Sequence, residues 1–156
     1  IRNEISMKNQ RYKSDYLNKS DRKIFSWWNE LELQYRFKKN IDLDLSILGG
    51  FDEGKFNDTR FNSSSKGIGV KTKYFFKKRG SLDTHIEFIN VDGSNNLNFI
   101  PPEASQGYPL GRTFKIQSRF QYFITKSFSS IISIYGVDDN RYNKFLNING
   151  ELRAYF

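Results

Sequence analysis

The chain has 156 residues, the size of about one domain, and 17% of them are aromatic, which excludes a disordered chain despite its polar average composition. It has no cysteine, so disulfides and cysteine metal sites are excluded, and its formal net charge of +8 favours an anionic partner, either nucleic acid or a lipid surface. No run of about 18 apolar residues occurs, which excludes a transmembrane helix. Because the sequence opens without methionine in a strand-like pattern, we expect either a removed signal or the C-terminal part of a longer chain.

Apolar and polar residues alternate along most of the chain, and this period of two predicts β-strands. The alternation is weakest in the first segment, about residues 1–17. Seven clearer segments follow, at 25–37, 41–51, 68–76, 82–88, 114–124, 128–137 and 146–156. The sequence therefore predicts eight antiparallel strands in one up-and-down sheet, forming a single domain over residues 1–156.

The predicted connections alternate between short and long. The short turns read "KKN", "KKRG" and "TKS", and the longer connections cover about 18–23, 52–66, 93–112 and 138–141. In an up-and-down sheet, all short turns lie at one end and all longer connections at the other.

Aromatic residues cluster toward both ends of the apolar face, with aliphatic residues between them. The two aromatic bands include Trp27, Tyr35, Phe37, Phe51, Tyr74, Phe76, Phe88, Phe114, Tyr122 and Tyr142. Ten steps of about 3.4 Å separate Trp27 from Phe37, which at a tilt near 40° corresponds to roughly 26 Å, close to the apolar band of a membrane barrel. The pattern predicts a transmembrane β-barrel to which this chain contributes eight strands, either as a single barrel domain or as the C-terminal segment of a larger barrel. A soluble β-sandwich that acts as a binding module is the alternative.

The polar face carries charges whose sign changes from strand to strand. They are Glu30, Glu32, Arg36, Asp42, Asp44, Lys71, Lys73, Asp83, His85, Glu87, Lys115, Arg119, Glu151 and Arg153. A simple hairpin register places Arg36 opposite Asp42 and Lys71 opposite Glu87. We expect these side chains to line the barrel lumen, either as ion pairs that stabilise the wall or as a lining that selects solutes.

The last residues, "FLNINGELRAYF", resemble the C-terminal signature of bacterial outer-membrane β-barrel proteins, and the composition resembles that of Bacteroidota. The matching positions are Phe156 as the terminal aromatic residue, preceded by Ala154, Leu152, Gly150 and Ile148. The resemblance implies location in a bacterial outer membrane, with membrane lipid and the barrel-assembly machinery as partners. It also implies that the C-terminus and the short turns lie in the periplasm and that the longer connections are extracellular.

Recognition is expected in the longer connections 52–66 and 93–112, because loops on a rigid scaffold carry binding function. The second is unusually apolar and stiff, with Phe99, Ile100, Pro101, Pro102 and Tyr108. It either packs inward on the lumen wall or contacts a partner or ligand. We therefore expect a pore or a scaffold subunit of a surface transport, secretion or assembly complex, and the alternative is a complete eight-stranded barrel with a binding or anchoring role.

No set of residues predicts enzyme activity, a metal site or a cofactor. The single histidine, His85, lies beside Asp83 and Glu87 on the polar face, but no nucleophile is apparent near it. The basic residues gather at the turns instead of alternating with aromatic residues on one accessible face, which argues against nucleic-acid binding. They predict a basic rim that contacts anionic lipid headgroups or periplasmic partners.

Overall fold

A computed structural model describes residues 2–12, 22–56, 59–76, 79–93, 100–101, 103–140 and 143–155. The strands are β1 (Arg2–Tyr12), β2 (Arg22–Phe37), β3 (Ile41–Phe56), β4 (Thr59–Phe76), β5 (Gly80–Gly93), β6 (Gly111–Phe123), β7 (Phe128–Asp139) and β8 (Asn143–Ala154). One short 3-10 turn, Ser105–Gly107, lies between β5 and β6. No helix in this described part of the chain is long and apolar enough to cross a membrane.

The strands form one antiparallel sheet in chain order, so the prediction of an all-β, up-and-down fold is confirmed. Each strand pairs with the next along the chain, as expected where short connections join antiparallel neighbours. The seven strands from β2 to β8 carry the features discussed below, and β1 extends their edge by pairing with β2.

The sheet curls so that its polar face is concave. A cavity of about 880 Å³ lies on this face, and residues of β2 and β7, which are far apart in strand order, both line it. Gln34 of β2 and Ser133 of β7 are examples. The alternation thus separates a concave polar face from a convex apolar face, because neighbouring residues of a strand point to opposite sides.

The buried core lies on the concave face, near the longer connections. Its strand residues are Ile24, Phe61, Ile89 and Val91, and Ile100 and Ala104 of the connection between β5 and β6 pack against them. This connection therefore folds inward. Of the two arrangements left open by the sequence, the described residues adopt packing on the inner wall.

The described strands form an open sheet, so the prediction of a barrel is not confirmed, and closure by this chain alone disagrees with the structure. Among them, β1 pairs only with β2 and β8 only with β7. An eight-stranded barrel has an interior about wide enough for its own side chains. Here the concave side holds an inserted connection and a cavity in addition to the side chains of the strands. The alternative of a complete small barrel requires β1 to pair with β8, and the described strands do not pair in this way.

The soluble β-sandwich also disagrees with the structure, because the described strands make one sheet and not two. A sandwich would bury outward residues such as Leu45 between its layers. Instead, the Leu45 side chain is 43% exposed.

Two details of the predicted connections were wrong. Residues 52–66 are not a long loop, because the ladder between β3 and β4 continues to Phe56 and Thr59. Pairing between the strands satisfies the backbone N–H and C=O groups of this polar segment as well as water would. In the next hairpin Lys71 lies opposite His85, and Gly69 lies opposite Glu87. The ladder there reaches Phe76 and Gly80, so the turn is shorter than predicted and the register shifts by two residues.

Candidate functional site

A continuous row of small and aliphatic side chains crosses the convex face from β2 to β8. The ladder places its members side by side in the order Leu33, Leu45, Val70, Ile86, Ile116, Gly136 and Leu146. Leu146 is 64% exposed, and no second layer of described residues covers this face. A contiguous exposed apolar surface of this kind is typical of a face that contacts lipid or another protein.

The predicted aromatic residues flank this row on the same face. Near the short turns, the rings of Tyr74 and Phe76 lie 4.7 Å apart, and Phe76 lies 5.7 Å from Phe120. Near the longer connections, Trp27 neighbours Phe51 in the ladder. The remaining predicted members that the structure describes are exposed or half-buried, namely Tyr35, Phe37, Phe88, Phe114 and Tyr122, while Tyr142 lies outside the described residues.

Two polar groups beside the aliphatic row satisfy each other. The hydroxyl oxygens of Thr84 and Ser118, neighbours across β5 and β6, lie 3.1 Å apart. This mutual hydrogen bond lowers the cost of placing both groups in apolar surroundings.

Eight of the predicted charged residues line the concave cavity, in rows of alternating sign. One row runs Arg36, Asp42, Lys73, Asp83 and Arg119 across five strands, and a second contains Asp44, Lys71 and His85. The predicted pairing of Arg36 with Asp42 is present, with Nε 2.6 Å from Oδ1. Glu30 and Glu32 lie on the same face of β2, while Glu151 and Arg153 pair within β8 at 2.7 Å.

These ion pairs add little stability, because most of them are open to solvent. Lys73 Nζ lies 3.6 Å from Asp83, and both side chains are more than two-fifths exposed. Exposed pairs contribute little because water and salt screen them. The rows therefore give the cavity a polar, hydrated wall of mixed charge.

The connection between β5 and β6 is held at the cavity by Tyr108. We call residues 100–110 the inserted segment. The Tyr108 hydroxyl donates a hydrogen bond of 2.8 Å to Glu87 Oε2, and Lys115 Nζ lies 3.9 Å from the centre of its ring. Burial raises the pKa of the Tyr108 phenol above its ordinary range, and the hydrogen bond to Glu87 raises it further. The phenol therefore keeps its proton, and this contact, at neutral and mildly alkaline pH.

A buried carboxylate holds the other end of the inserted segment. Asp52 is fully buried, and its Oδ2 accepts hydrogen bonds from the Ser105 backbone N–H at 3.0 Å and from the hydroxyls of Ser63 and Ser105 at 3.4 Å. Ser105 and Gln106 both have left-handed backbone conformations, which non-glycine residues seldom adopt. The Asp52 hydrogen bonds stabilise this strained turn.

The residues predicted to carry loop recognition lie inside the sheet where they are described. Ile100 and Pro101 are buried, and Tyr108 contacts the cavity wall. Phe99 and Pro102 lie outside the described residues. In this arrangement, the described members shape the concave side instead of facing an external partner.

The structure does not assemble the neighbours of His85 into a metal site. Its ladder partners are Lys71 and Gln117. Over the described ranges, no three His, Cys, Asp or Glu side chains are placed to hold a metal ion together.

Residues of the predicted assembly signal share the convex face of β8. Ile148, Gly150, Leu152 and Ala154 alternate along the strand, and Leu152 is 76% exposed. Phe156 lies outside the described residues. The edge of β8 that faces away from β7 has no partner strand in the described part of the chain.

Sequence reasoning missed the residues that anchor the inserted segment. Asp52, Ser63 and Phe61 fall in a polar stretch that looks like a loop. The available signal was apolar residues on the polar face, such as Ile24 and Ile89, which lie near the ends of strands beside an apolar connection.

Comparison of the chain with models of known protein families finds no match, and comparison with curated proteins finds none either.

Proposed function

We propose that this chain forms part of the wall of an integral bacterial outer-membrane β-barrel. The observation that carries the proposal is the uncovered convex face, where an aliphatic row lies between two aromatic bands. A transmembrane barrel presents this kind of outer surface to lipid, with aromatic residues at both interfaces.

The unpaired edges support a barrel that is wider than eight strands. An unpaired edge is a liability in any environment, and inside a bilayer its backbone groups have no water to bind. Further antiparallel strands beside β1 and β8 would satisfy those groups. They would also widen the barrel around the inserted segment and the cavity.

Within this class, a pore is the role that the concave face supports best. The charged rows surround a cavity of about 880 Å³, and a hydrated lumen of mixed charge suits the passage of polar solutes. The inserted segment favours the second candidate, a scaffold subunit of a surface complex, because it fills the lumen side with a dry cluster. Ion conductance of the native protein in planar bilayers distinguishes the two.

Arginine substitutions test the assigned faces. Leu45→Arg places a charge in the middle of the aliphatic row, and we expect a loss of about 2 to 4 kcal/mol in the free energy of folding into lipid. Ile116→Arg lies in the same row and should behave alike. The measurement is denaturant unfolding in lipid vesicles, together with the heat-dependent shift on a denaturing gel.

The matched control is Gln117→Arg, next to Ile116 but on the concave face, where we expect a small effect. If the convex face met water, Leu45→Arg would also change stability by less than about 0.5 kcal/mol. Equal effects of the two substitutions would overturn the proposal.

A further inference from the structure

We propose that the short-turn end of the sheet binds the headgroups of anionic phospholipids in one leaflet of the membrane. This inference rests on the proposed function and adds the chemistry of the lipid that contacts this end. It starts from the unequal distribution of charge between the two ends of the sheet.

The short turns carry almost all of the excess positive charge. Turns 38–40, 77–79 and 124–127 contain six basic residues and no acidic one, namely Lys38, Lys39, Lys77, Lys78, Arg79 and Lys126. The longer connections 18–23, 52–66, 93–112 and 138–141 contain eight basic and seven acidic residues, so they nearly balance. One end of the sheet is therefore strongly cationic and the other is close to neutral.

The described residues of the three turns, which we call the rim, each join the strand beside them. The Asn40 carbonyl accepts a hydrogen bond of 2.9 Å from the Phe75 N–H, which joins the first turn to β4. The Arg79 carbonyl accepts one of 2.6 Å from the Phe123 N–H, and the Ser127 carbonyl accepts one of 2.8 Å from the Tyr155 N–H. Of the basic residues in these turns, the four that the structure describes therefore lie along one end of the sheet, namely Lys38, Lys39, Arg79 and Lys126.

The cationic side chains of the rim face outward. Lys38, Lys39, Arg79 and Lys126 are exposed. Over the residues that the structure describes, none of these four forms an ion pair with a carboxylate. They remain available to an external anion.

The neighbouring aromatic rings indicate which anion this is. The cluster of Tyr74, Phe76, Phe120 and Tyr122 adjoins the rim on the convex face, and Lys38 Nζ lies 5.4 Å from the centre of the Phe37 ring. Tyrosine and lysine beside an apolar band are typical of the level of lipid headgroups. Nucleic acid or an acidic protein would be attracted by the charge, but neither explains the adjoining apolar band. The combination fits a phosphate group attached to a lipid.

The test measures which lipids remain bound to the protein. The native protein, with all strands of its barrel, is folded into vesicles of phosphatidylcholine mixed with phosphatidylglycerol. It is then extracted in mild detergent, and the retained lipids are counted by mass spectrometry. The rim variant carries Lys38→Gln, Lys39→Gln, Arg79→Gln and Lys126→Gln. The control variant removes the same charge at the opposite end with Lys23→Gln, Arg60→Gln, Arg112→Gln and Lys144→Gln, all of them exposed in the wild type.

We expect the wild type and the control variant to retain phosphatidylglycerol in preference to phosphatidylcholine. In the rim variant, the ratio of retained phosphatidylglycerol to phosphatidylcholine should fall at least roughly fivefold. Each basic residue near an anionic surface strengthens binding by about that factor. Added salt should weaken the wild-type preference, which tests the contact without any substitution.

Other results would overturn the inference. One is that the wild type shows no preference for phosphatidylglycerol, as expected if the rim binds an acidic protein. The other is that the rim variant and the control variant lose this preference equally. Either result leaves the proposed function standing, provided that the protein enters vesicles of both phosphatidylcholine alone and the mixture. Failure of the native protein, with all strands of its barrel present, to enter either kind of vesicle would overturn the proposed function itself.

Discussion

Gly50 shows how one residue determines the packing of the concave face. A Cβ atom at this position would lie 2.6 Å from Cδ2 and Cε2 of the Trp28 indole, which is 5% exposed. No real Cβ makes such a contact, so the buried indole occupies space that only glycine leaves free.

We expect Gly50→Ala to cost about 1 to 3 kcal/mol in the free energy of unfolding, because the alanine methyl group must displace a buried ring. Gly49→Ala is the matched control, since a Cβ there meets nothing within 4 Å. Denaturant unfolding of both variants provides the measurement. A loss of stability in Gly49→Ala as large as in Gly50→Ala would show that the Trp28 contact is not the cause.

Single residues were predictable where one short-range rule decides them. Alternation assigned Leu45 and Arg36 to opposite faces, and the hairpin after Phe37 set Arg36 against Asp42. The burial of Asp52 and Phe61 was not recognised, because it depends on the inserted segment. Ser105, which donates to Asp52, is some fifty residues away in the sequence. Nothing near them in the sequence carries that information.

At the scale of elements, the inserted segment depends on contacts at both of its ends. Asp52 holds the turn at Ser105, and Glu87 holds Tyr108. The segment also adds Ile100 and Ala104 to the core, so local opening must break hydrogen bonds and expose apolar surface together.

We expect Tyr108→Phe to lower the free energy of opening of residues 103–110 by about 1 to 2 kcal/mol, because the hydrogen bond to the Glu87 carboxylate is lost while the ring remains. Backbone hydrogen exchange across these residues measures the change. Tyr35→Phe, at an exposed position on the convex face, serves as the control. Unchanged exchange in Tyr108→Phe would show that the ring and its neighbours hold the segment without the hydroxyl.

The strands themselves were predictable because alternation is local, but their lengths were not. The hairpin of β3 and β4 extends through polar residues on both faces, and composition alone assigned those residues to a loop. Concave side chains of this extension, such as Ser63, are buried by the inserted segment. Tertiary contacts therefore decided where these strands end.

At the scale of the whole molecule, closure of the sheet could not be predicted from the pattern. Alternation and aromatic bands would look the same in a complete small barrel and in a sector of a larger one. The difference lies in what fills the concave side, and that depends on the inserted segment and on the cavity.

The chain's two tryptophans test most directly whether the convex face contacts lipid. They are adjacent in β2, yet Trp27 lies on the convex face and Trp28 is buried on the concave face. Bromine atoms on lipid acyl chains quench the fluorescence of an indole that they touch. The two residues are separated by comparing the wild type with Trp27→Phe, which keeps Trp28 and its buried contacts intact.

We expect brominated phosphatidylcholine to quench the wild type strongly and Trp27→Phe hardly at all, so that nearly all of the quenched emission belongs to Trp27. Trp28→Phe, which keeps only Trp27, should be quenched at least as strongly as the wild type. Strong quenching of Trp27→Phe, or an unquenched wild type in vesicles that the protein has entered, would contradict a convex face in contact with lipid.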